Sequence, residues 1–355
     1  AKENSKGKDR MSVELNHYLE ITRSHVHQIY KELETSGKVI TVDLVRKLFY
    51  GVDEDSKTLL QVFREHNEQS RKLIGKDFVS KTVQRYETTT RYLEEFIKKE
   101  YQLSDIALNN LEANFISKFD AFLKIEKGCA QNSAITRLKN LKKIIRIALE
   151  NDWIKKDPFA YYRFKPEKTD PEFLTMDEIK IILAKEFTIK RVEQVRDVFV
   201  FCIFTGLAFS DVKDLSPEHL VKDNKGELWI RKNRQKTKIM CNIPVLPVAA
   251  SILDKYKDVA ECTGKLLPVL CNQRMNSYLK EIADVCGIHK NLCTHSARHS
   301  YATSICLANG VSMENVAKML GHADTSVTKH YARVLDQNIF KDMQKVNSCL
   351  SELAI

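Results

Sequence analysis

The amino-acid sequence predicts a mainly α-helical protein with a small antiparallel β-sheet, divided by a proline-containing linker. Three observations support this fold class. Apolar residues recur at intervals of three and four over most of the chain, which is the period of an α-helix. The period changes to that of β-strands between Glu227 and Pro247. Two prolines and mixed charges at 164–171 indicate an extended connection between separately folded parts.

The first 55 residues contain two predicted helices. Apolar residues follow helical spacing over 12–36, and Gly37 is a suitable residue to end that helix. Thr41 can cap a second, short helix that runs through Phe49. The chain opens with a polar, lysine-rich stretch that lacks a methionine. We therefore expect 1–55 to be the remnant of an N-terminal arm region with a helical linker.

Residues 56–163 are predicted to form a bundle of about four helices. Two apolar stripes at helical spacing support it: Leu111, Phe115, Ile116, Phe119, Phe122 and Leu123 in one, Ile135, Leu138, Leu141, Ile145 and Ala148 in the other. On the second of these helices, Lys139, Lys143 and Arg146 lie opposite the stripe at 100° per residue. Such a face is either a solvated lysine surface or, beside a domain that attacks phosphodiesters, a contact surface for DNA phosphates.

A linker at 164–174 is expected to precede a second domain at 175–335. Thr175 and Glu178 have the spacing of a capping box that opens a helix. A long apolar helix follows, roughly from Val192 to Thr205. Two short β-like runs, 228–230 and 239–245, flank a strongly basic stretch, which predicts a hairpin with a cationic tip.

Composition limits the functions that this chain can have. A net charge of +10 fits a polyanionic partner such as double-stranded DNA, although charge alone is weak support. No apolar run reaches the roughly 18 residues that a membrane span needs. The nine cysteines are scattered without a Cys-x-x-Cys pair, which indicates free thiols in a reducing cytoplasm rather than a zinc site. With no P-loop and no acidic metal cluster, we expect no metal and no cofactor.

The most informative motif lies near the C-terminus. His295 and Arg298 are three residues apart and therefore share one face of a helix. The Gly321-His322 pair follows, and Tyr331 comes nine residues after that histidine. A tyrosine has a pKa near 10 and needs neighbouring cations or a base to act as a nucleophile. Together these residues supply a nucleophile, proton-transfer groups and a fixed cation, a set suited to attack on a phosphodiester without a metal.

This pattern resembles the tyrosine recombinase (phage integrase) family. The resemblance implies a helical, SAM-like core-binding domain at 56–163 and a mixed α/β catalytic domain at 175–335, which together clamp a DNA duplex. It implies that Tyr331 attacks a DNA phosphate, giving a 3′-phosphotyrosyl link and a free 5′-hydroxyl, as in type IB topoisomerases. Arg298 would bind the phosphate oxygens, and His322 would donate a hydrogen bond to the phosphate. His295 would bind the same phosphate or accept the tyrosine proton.

The resemblance also reveals a departure. Lys236 matches the family's hairpin lysine, which protonates the departing 5′-oxygen, although several other basic residues lie close to it. The family carries an arginine after a Thr-Gly-Leu turn, and here Ala208 stands at that position while Asp211 keeps the usual acidic one. Either the protein is catalytically impaired or another cation replaces the arginine. We expect Arg234 to do so, because in an extended hairpin arm it would point the same way as Lys236.

Residues 336–355 are close to helical spacing and are predicted to form a tail helix, packed on its own domain or exchanged with a neighbouring protomer. The resemblance implies four protomers on DNA and leaves room for accessory DNA-bending proteins. The turn around Ala208 is similar to that of integrases from Bacteroidetes conjugative transposons, which favours integration or excision of a mobile element. The alternatives are a non-catalytic DNA-binding relative and a Xer-like resolvase or invertase with the same chemistry.

Overall fold

The computed structural model describes residues 10–35, 40–49, 57–169, 171–328, 343–344 and 346–347. These residues confirm the predicted fold class, since they form helices together with a small antiparallel sheet. The chain divides into two compact units, Ala1–Lys168 and Thr169–Ile355. Within the described ranges, no helix combines the length and the apolar content that crossing a lipid bilayer requires.

The first unit is helical throughout its regular structure. Its helices are α1 (Arg10–Thr35), α2 (Val42–Phe49), α3 (Leu59–Lys72), α4 (Ser80–Tyr101), α5 (Ala113–Ile125) and α6 (Gln131–Glu150). The Thr41 hydroxyl accepts a hydrogen bond from the Leu44 amide at 3.2 Å, so the predicted cap of α2 is confirmed. Both predicted apolar stripes are buried, and all of their residues except Ile135 belong to the core that α3, α4, α5 and α6 share. Phe96 lies at the centre of that core, with ring centroids of α5 between 5.2 and 5.4 Å away.

The predicted linker has no regular secondary structure at 164–169 and 171–174, and its two halves are fixed in different units. In the first unit, the Asn132 side chain donates to the Glu167 carbonyl at 2.9 Å and accepts from the Glu167 amide at 3.1 Å. In the second unit, the Leu174 amide donates to the Ser300 hydroxyl at 2.8 Å. These hydrogen bonds fix backbone on either side of residue 170 that belongs to no helix or strand.

The second unit is built around α8, whose last nine residues, 197–205, are all buried. Its helices are α7 (Met176–Ala184), α8 (Lys190–Thr205), α9 (Phe209–Lys213), α10 (Pro247–Lys255), α11 (Lys257–Thr263), α12 (Asn272–Val285), α13 (Thr294–Ser300), α14 (Met313–Leu320) and α15 (Thr325–Thr328). The capping box that opens α7 is confirmed, because Thr175 and Glu178 exchange both expected hydrogen bonds. A left-handed glycine ends α8 and another ends α14, at Gly206 and Gly321.

The sheet of the second unit has three antiparallel strands in the order β1 (Leu220–Lys222), β2 (Leu228–Asn233) and β3 (Met240–Pro244). The predicted hairpin is formed by β2 and β3. The prediction missed β1, because three residues are too few to show an alternating period. The second unit thus contains one strand, β1, in addition to the predicted hairpin. The basic tip between β2 and β3 lies next to the end of α14, where Thr237 donates to the Gly321 carbonyl at 3.2 Å.

Candidate active site

Arg298 is a buried cation held by the ends of two helices. Its side chain is 2% exposed. Nη1 donates to the Gly206 carbonyl at 2.7 Å, and Nη2 donates to the Leu320 carbonyl. Gly206 ends α8 and Leu320 ends α14, so both carbonyls carry the partial negative charge of a helix C-terminus. These contacts stabilise the buried charge and fix the guanidinium in one orientation.

His295 lies one turn before Arg298 on α13, as predicted. Desolvation lowers the pKa of His295, and the charges of Arg298, Arg234 and Lys236 lower it further. The neutral imidazole that results can accept a proton at neutral pH. Its ring lies edge-to-face against the buried His299, with ring centroids 4.6 Å apart.

His322 directly follows the left-handed residue Gly321 and contacts Arg298. Its Nε2 lies 2.9 Å from Arg298 Nη2, and its Nδ1 lies 2.8 Å from the Thr328 hydroxyl oxygen. Burial lowers the pKa of His322 to about 4, and the charges of Arg298 and Arg234 contribute to this decrease. The structure therefore brings His295, Arg298 and His322 together, as the sequence motif predicts.

The turn after α8 lacks a cation but holds a buried carboxylate. Ala208 precedes α9, at the position where the resemblance leads one to expect an arginine. Asp211 is 2% exposed, and its Oδ1 accepts a hydrogen bond from the Gln235 amide at 2.8 Å. Its Oδ2 lies 3.5 Å from Arg234 Nε. The acidic residue of this turn thus anchors the tip of the β2–β3 hairpin.

Arg234 lies in the same pocket, but for a different reason from the predicted one. β2 ends at Asn233 and a tight turn follows, in which the Lys238 amide donates to the Arg234 carbonyl at 2.9 Å. The arm is therefore not extended from Arg234 to Lys236, and the expectation of an alternating backbone was wrong. Arg234 is instead positioned by its ion pair with Asp211 and by packing of its stem against Gly321. In the described residues its Nη groups have no hydrogen-bonding partner, so they can bind an anion.

The lysines of the basic hairpin differ in their surroundings: one is hydrogen-bonded to the protein, and two are exposed to solvent. Lys232 donates to the Asp214 carbonyl at 3.1 Å and contacts His219 Nε2 at 3.0 Å. Lys236 and Lys238 are exposed. Lys236 follows Gln235, whose amide donates to Asp211 in the pocket, and its charge contributes to the lowered pKa of His295. Of these three lysines, Lys236 is therefore the one that we expect to reach a bound phosphate.

Tyr331 lies outside the described residues, and so does most of the predicted tail at 336–355. The described part of the pocket contains two guanidinium groups, two neutral imidazoles and one carboxylate that pairs with the hairpin. The guanidinium groups of Arg298 and Arg234 are the donors of this set, and such donors can stabilise negative charge on a phosphate oxygen and its increase in a transition state.

The three cations predicted to face DNA on α6 differ in their surroundings. Lys139 is exposed, and the exposed Arg146 pairs with Glu150 at 2.8 Å. Lys143 is half-buried, with its Nζ 4.9 Å from the centroid of the Tyr86 ring and 3.3 Å from the Tyr86 hydroxyl. The face is thus not uniformly solvated. Lys142, which the sequence did not single out, packs over the Phe159 ring at 5.6 Å.

Two family models match this chain in consecutive segments. The phage integrase SAM-like domain matches residues 58–166, and the phage integrase family matches residues 172–338. Among curated proteins, the tyrosine recombinase XerD of Listeria monocytogenes is 26% identical over 291 residues, which cover 77% of this chain and 94% of that protein. The XerD of Lacticaseibacillus casei is 28% identical over 238 residues, which cover 62% of this chain and 78% of that protein.

Solved structures show a similar fold. A lambda integrase tetramer bound to a Holliday junction has a TM-score of 0.64 at 18% identity, covering 92% of this chain and 88% of that one. The Tn1549 transposon integrase in complex with circular intermediate DNA has a TM-score of 0.62 at 16% identity, covering 81% of this chain and 99% of that one.

Proposed function

The chain belongs to the phage integrase family of tyrosine recombinases, and from this membership we propose that it is a site-specific DNA recombinase. It cleaves and rejoins DNA through a 3′-phosphotyrosyl intermediate on Tyr331. The observation that carries the proposal is the buried Arg298, fixed by two helix ends and in contact with His322. A buried arginine that is oriented before substrate binds is suited to bidentate recognition of a phosphate.

The proposed reaction assigns one task to each group. Arg298, Arg234 and His322 bind the non-bridging oxygens of the scissile phosphate. The Tyr331 oxygen forms a bond to phosphorus while the bond from phosphorus to the 5′-oxygen breaks. The phenolic proton passes to His295, whose lowered pKa keeps it neutral beforehand. Lys236 supplies a proton to the departing 5′-oxygen, and reversal with a new 5′-hydroxyl rejoins the strand.

The proposal includes replacement of the family arginine that Ala208 lacks. Arg234 supports this role because it is close enough to lower the pKa of both His295 and His322. We expect Arg234→Ala to slow cleavage of a nicked suicide DNA substrate by about 10²–10³-fold, the usual loss when an oxyanion donor is removed. Arg231→Ala is the matched control, because Arg231 is an exposed arginine on the same hairpin. Unchanged cleavage by Arg234→Ala would exclude the replacement.

Trapping of a covalent adduct separates this function from a non-catalytic DNA-binding role. A suicide substrate loses the fragment that carries the 5′-hydroxyl, so the phosphotyrosyl link cannot be reversed and accumulates. We expect an adduct that survives denaturation with wild type and none with Tyr331→Phe. A wild-type protein that binds DNA specifically but yields no adduct would favour the non-catalytic alternative.

The first unit is proposed to act as the core-binding domain, with Lys139, Lys143 and Arg146 facing DNA phosphates, and the second as the catalytic domain. The proposed partners are double-stranded DNA and further copies of this chain, with four protomers per synapse joined through the C-terminal tail. Accessory DNA-bending proteins and action in the cytoplasm on the nucleoid belong to the same proposal. If 336–355 joins protomers, truncation after Leu335 will weaken synapsis more than binding to a single site.

A mobile-element integrase, related to those of Bacteroidetes conjugative transposons, is the proposed biological role. The similarity to XerD proteins supports a second candidate, a resolvase or invertase with the same chemistry. Mapping the cleaved DNA decides between them. Sites at the ends of an element indicate integration and excision, whereas a pair of repeats in one replicon indicates resolution or inversion.

A further inference from the structure

A buried threonine hydroxyl contacts the second ring nitrogen of His322. Thr328 is the last residue of α15 and is 0% exposed. Its Oγ1 lies 2.8 Å from His322 Nδ1, while His322 Nε2 lies 2.9 Å from Arg298 Nη2. The imidazole is therefore held at both nitrogens, with an arginine on one side and a hydroxyl on the other.

These two contacts determine the tautomer of His322. A guanidinium can only donate hydrogen bonds, so the Nε2 atom that faces Arg298 must carry a lone pair. A neutral imidazole with a free lone pair on Nε2 carries its proton on Nδ1. The Thr328 hydroxyl oxygen is then the acceptor of that Nδ1–H.

We propose that Thr328 is a positioning residue: its hydroxyl accepts the Nδ1–H that Arg298 imposes on His322, and so holds the ring with Nε2 facing Arg298 and the phosphate site. This inference rests on the proposed function and adds a residue to it. When the anionic phosphate binds, Nε2 takes up one proton from solvent and donates it in a hydrogen bond to a phosphate oxygen. The Arg298 Nη2–H that Nε2 no longer accepts is released to the same phosphate. The Nδ1–H stays on Thr328 throughout, so the ring pivots about this contact instead of flipping.

The position of Thr328 makes its hydroxyl difficult to replace. Because the residue is fully buried, water cannot easily satisfy Nδ1–H when the hydroxyl is absent. Leaving a buried donor without its acceptor costs enough to slow a reaction by roughly ten- to a hundredfold. The cationic form of His322 suffers most, since both of its ring nitrogens must donate.

The tautomer can be measured in the DNA-free protein, independently of catalysis. Long-range ¹H–¹⁵N correlation spectra of the full-length protein with ¹⁵N-labelled histidine distinguish Nδ1–H from Nε2–H, and the His322→Gln spectrum identifies the His322 signals. We expect Nδ1–H in wild type and in Thr328→Ser. In Thr328→Val the ring is no longer held with Nε2 against Arg298, so the fixed Nδ1–H form should be lost. An Nε2–H form in wild type, or an unchanged Nδ1–H form in Thr328→Val, would overturn the proposal.

Cleavage of the suicide substrate then tests the catalytic consequence. We expect Thr328→Val to cleave roughly ten- to a hundredfold more slowly, with its pH profile shifted to lower pH, and Thr328→Ser to restore both. Thr89→Val is the control, since Thr89 is an equally buried threonine in the first unit that accepts from Asn140 at 3.0 Å. A uniformly slower Thr328→Val enzyme with an unshifted profile would contradict the positioning role.

The two tests fail in different ways. A wild-type protein with the Nδ1–H form but no covalent adduct would refute the proposed function and, with it, the catalytic role of Thr328. A wild-type protein that forms the adduct but has the Nε2–H form would refute the role of Thr328 alone. If Thr328→Val does not fold, the wild-type spectrum and Thr328→Ser still decide the tautomer.

Discussion

Gly321→Ala tests whether Arg234 must lie against the backbone beside His322. Gly321 has a φ of +62°, and a Cβ built on it would lie 2.7 Å from Arg234 Cδ and 2.7 Å from Cys241 Sγ. Cys241 is buried on β3 and its short side chain has one rotatable bond, whereas the side chain of Arg234 is long and flexible. The flexible stem of Arg234 will therefore move, and its guanidinium will leave the pocket.

The expected loss in the free energy of unfolding has two contributions, one from the backbone conformation and one from steric overlap. The left-handed backbone costs an alanine about 1–2 kcal/mol. Overpacking adds about 1–3 kcal/mol, so Gly321→Ala should lower the free energy of unfolding by about 2–5 kcal/mol. Gly287 is the matched control, because its φ is +66° and nothing lies within 4 Å of a Cβ built there. Gly287→Ala should lose only the backbone part.

Urea unfolding and single-turnover cleavage of the suicide substrate measure these effects separately. We expect Gly321→Ala to cleave roughly ten- to a hundredfold more slowly than Gly287→Ala, because Arg234, the proposed phosphate-binding cation, is displaced. In an Arg234→Ala background, the same glycine substitution should reduce cleavage further by only a small factor. Folded Gly321→Ala that cleaves at the wild-type rate would refute the reasoning, as would an equal loss in both glycine variants.

Three further predictions follow from the same pocket. Asp211→Asn removes the negative charge that holds Arg234, so it should slow cleavage and lower the free energy of unfolding by about 1–3 kcal/mol. Unchanged values in both assays would contradict this prediction. Lys236→Ala should slow cleavage of ordinary DNA by about 10²-fold. It should hardly affect cleavage of DNA in which sulfur replaces the 5′-bridging oxygen, because a thiolate leaves without a proton. The control Lys232→Ala should not show this difference between the two substrates. His299 and His322 have folded pKa values of about 4, below the unfolded value of about 6.5, so the unfolded chain binds more protons between these pH values. The free energy of unfolding should therefore fall as pH decreases from about 6.5 to about 4, and His322→Asn should make the fall shallower; an unchanged slope would count against the low pKa of His322.

Much of the architecture could be predicted because it follows from local periodicity. Apolar spacing located the core helices, and side-chain spacing located the capping box of α7. The short strand β1 carries too few residues to show a period. Lys143 appeared to lie on a solvated face, because spacing along one helix does not reveal the Tyr86 ring on another.

The site could be predicted where its residues lie close together in the sequence. It could not be predicted where the residues in contact are far apart along the chain. His295 and Arg298 share one helix, so their proximity follows from helical geometry. Arg234 lies beside Asp211 and Gly321, but the premise for expecting it there was wrong, since a turn and an ion pair with Asp211 place it rather than an extended strand. Its role as the replacing cation stays a prediction. The role of Thr328 depends on which ring nitrogen faces Arg298, and only distances reveal that.

Because Arg234 lies on the hairpin, the hairpin is expected to contribute to phosphate binding as well as to protonation of the leaving group. In the pattern that this chain departs from, the turn after α8 supplies one phosphate-binding cation and the hairpin supplies only the lysine. Here Arg234 and Lys236 lie on one tip, and Asp211 anchors that tip through both the Gln235 amide and the Arg234 side chain. Loosening of the tip should therefore impair phosphate binding and protonation of the leaving group together. It follows that a 5′-bridging sulfur, which makes Lys236 dispensable, should not restore cleavage by Asp211→Asn. Full restoration would mean that the tip serves the leaving group alone and that Arg234 does not bind the phosphate.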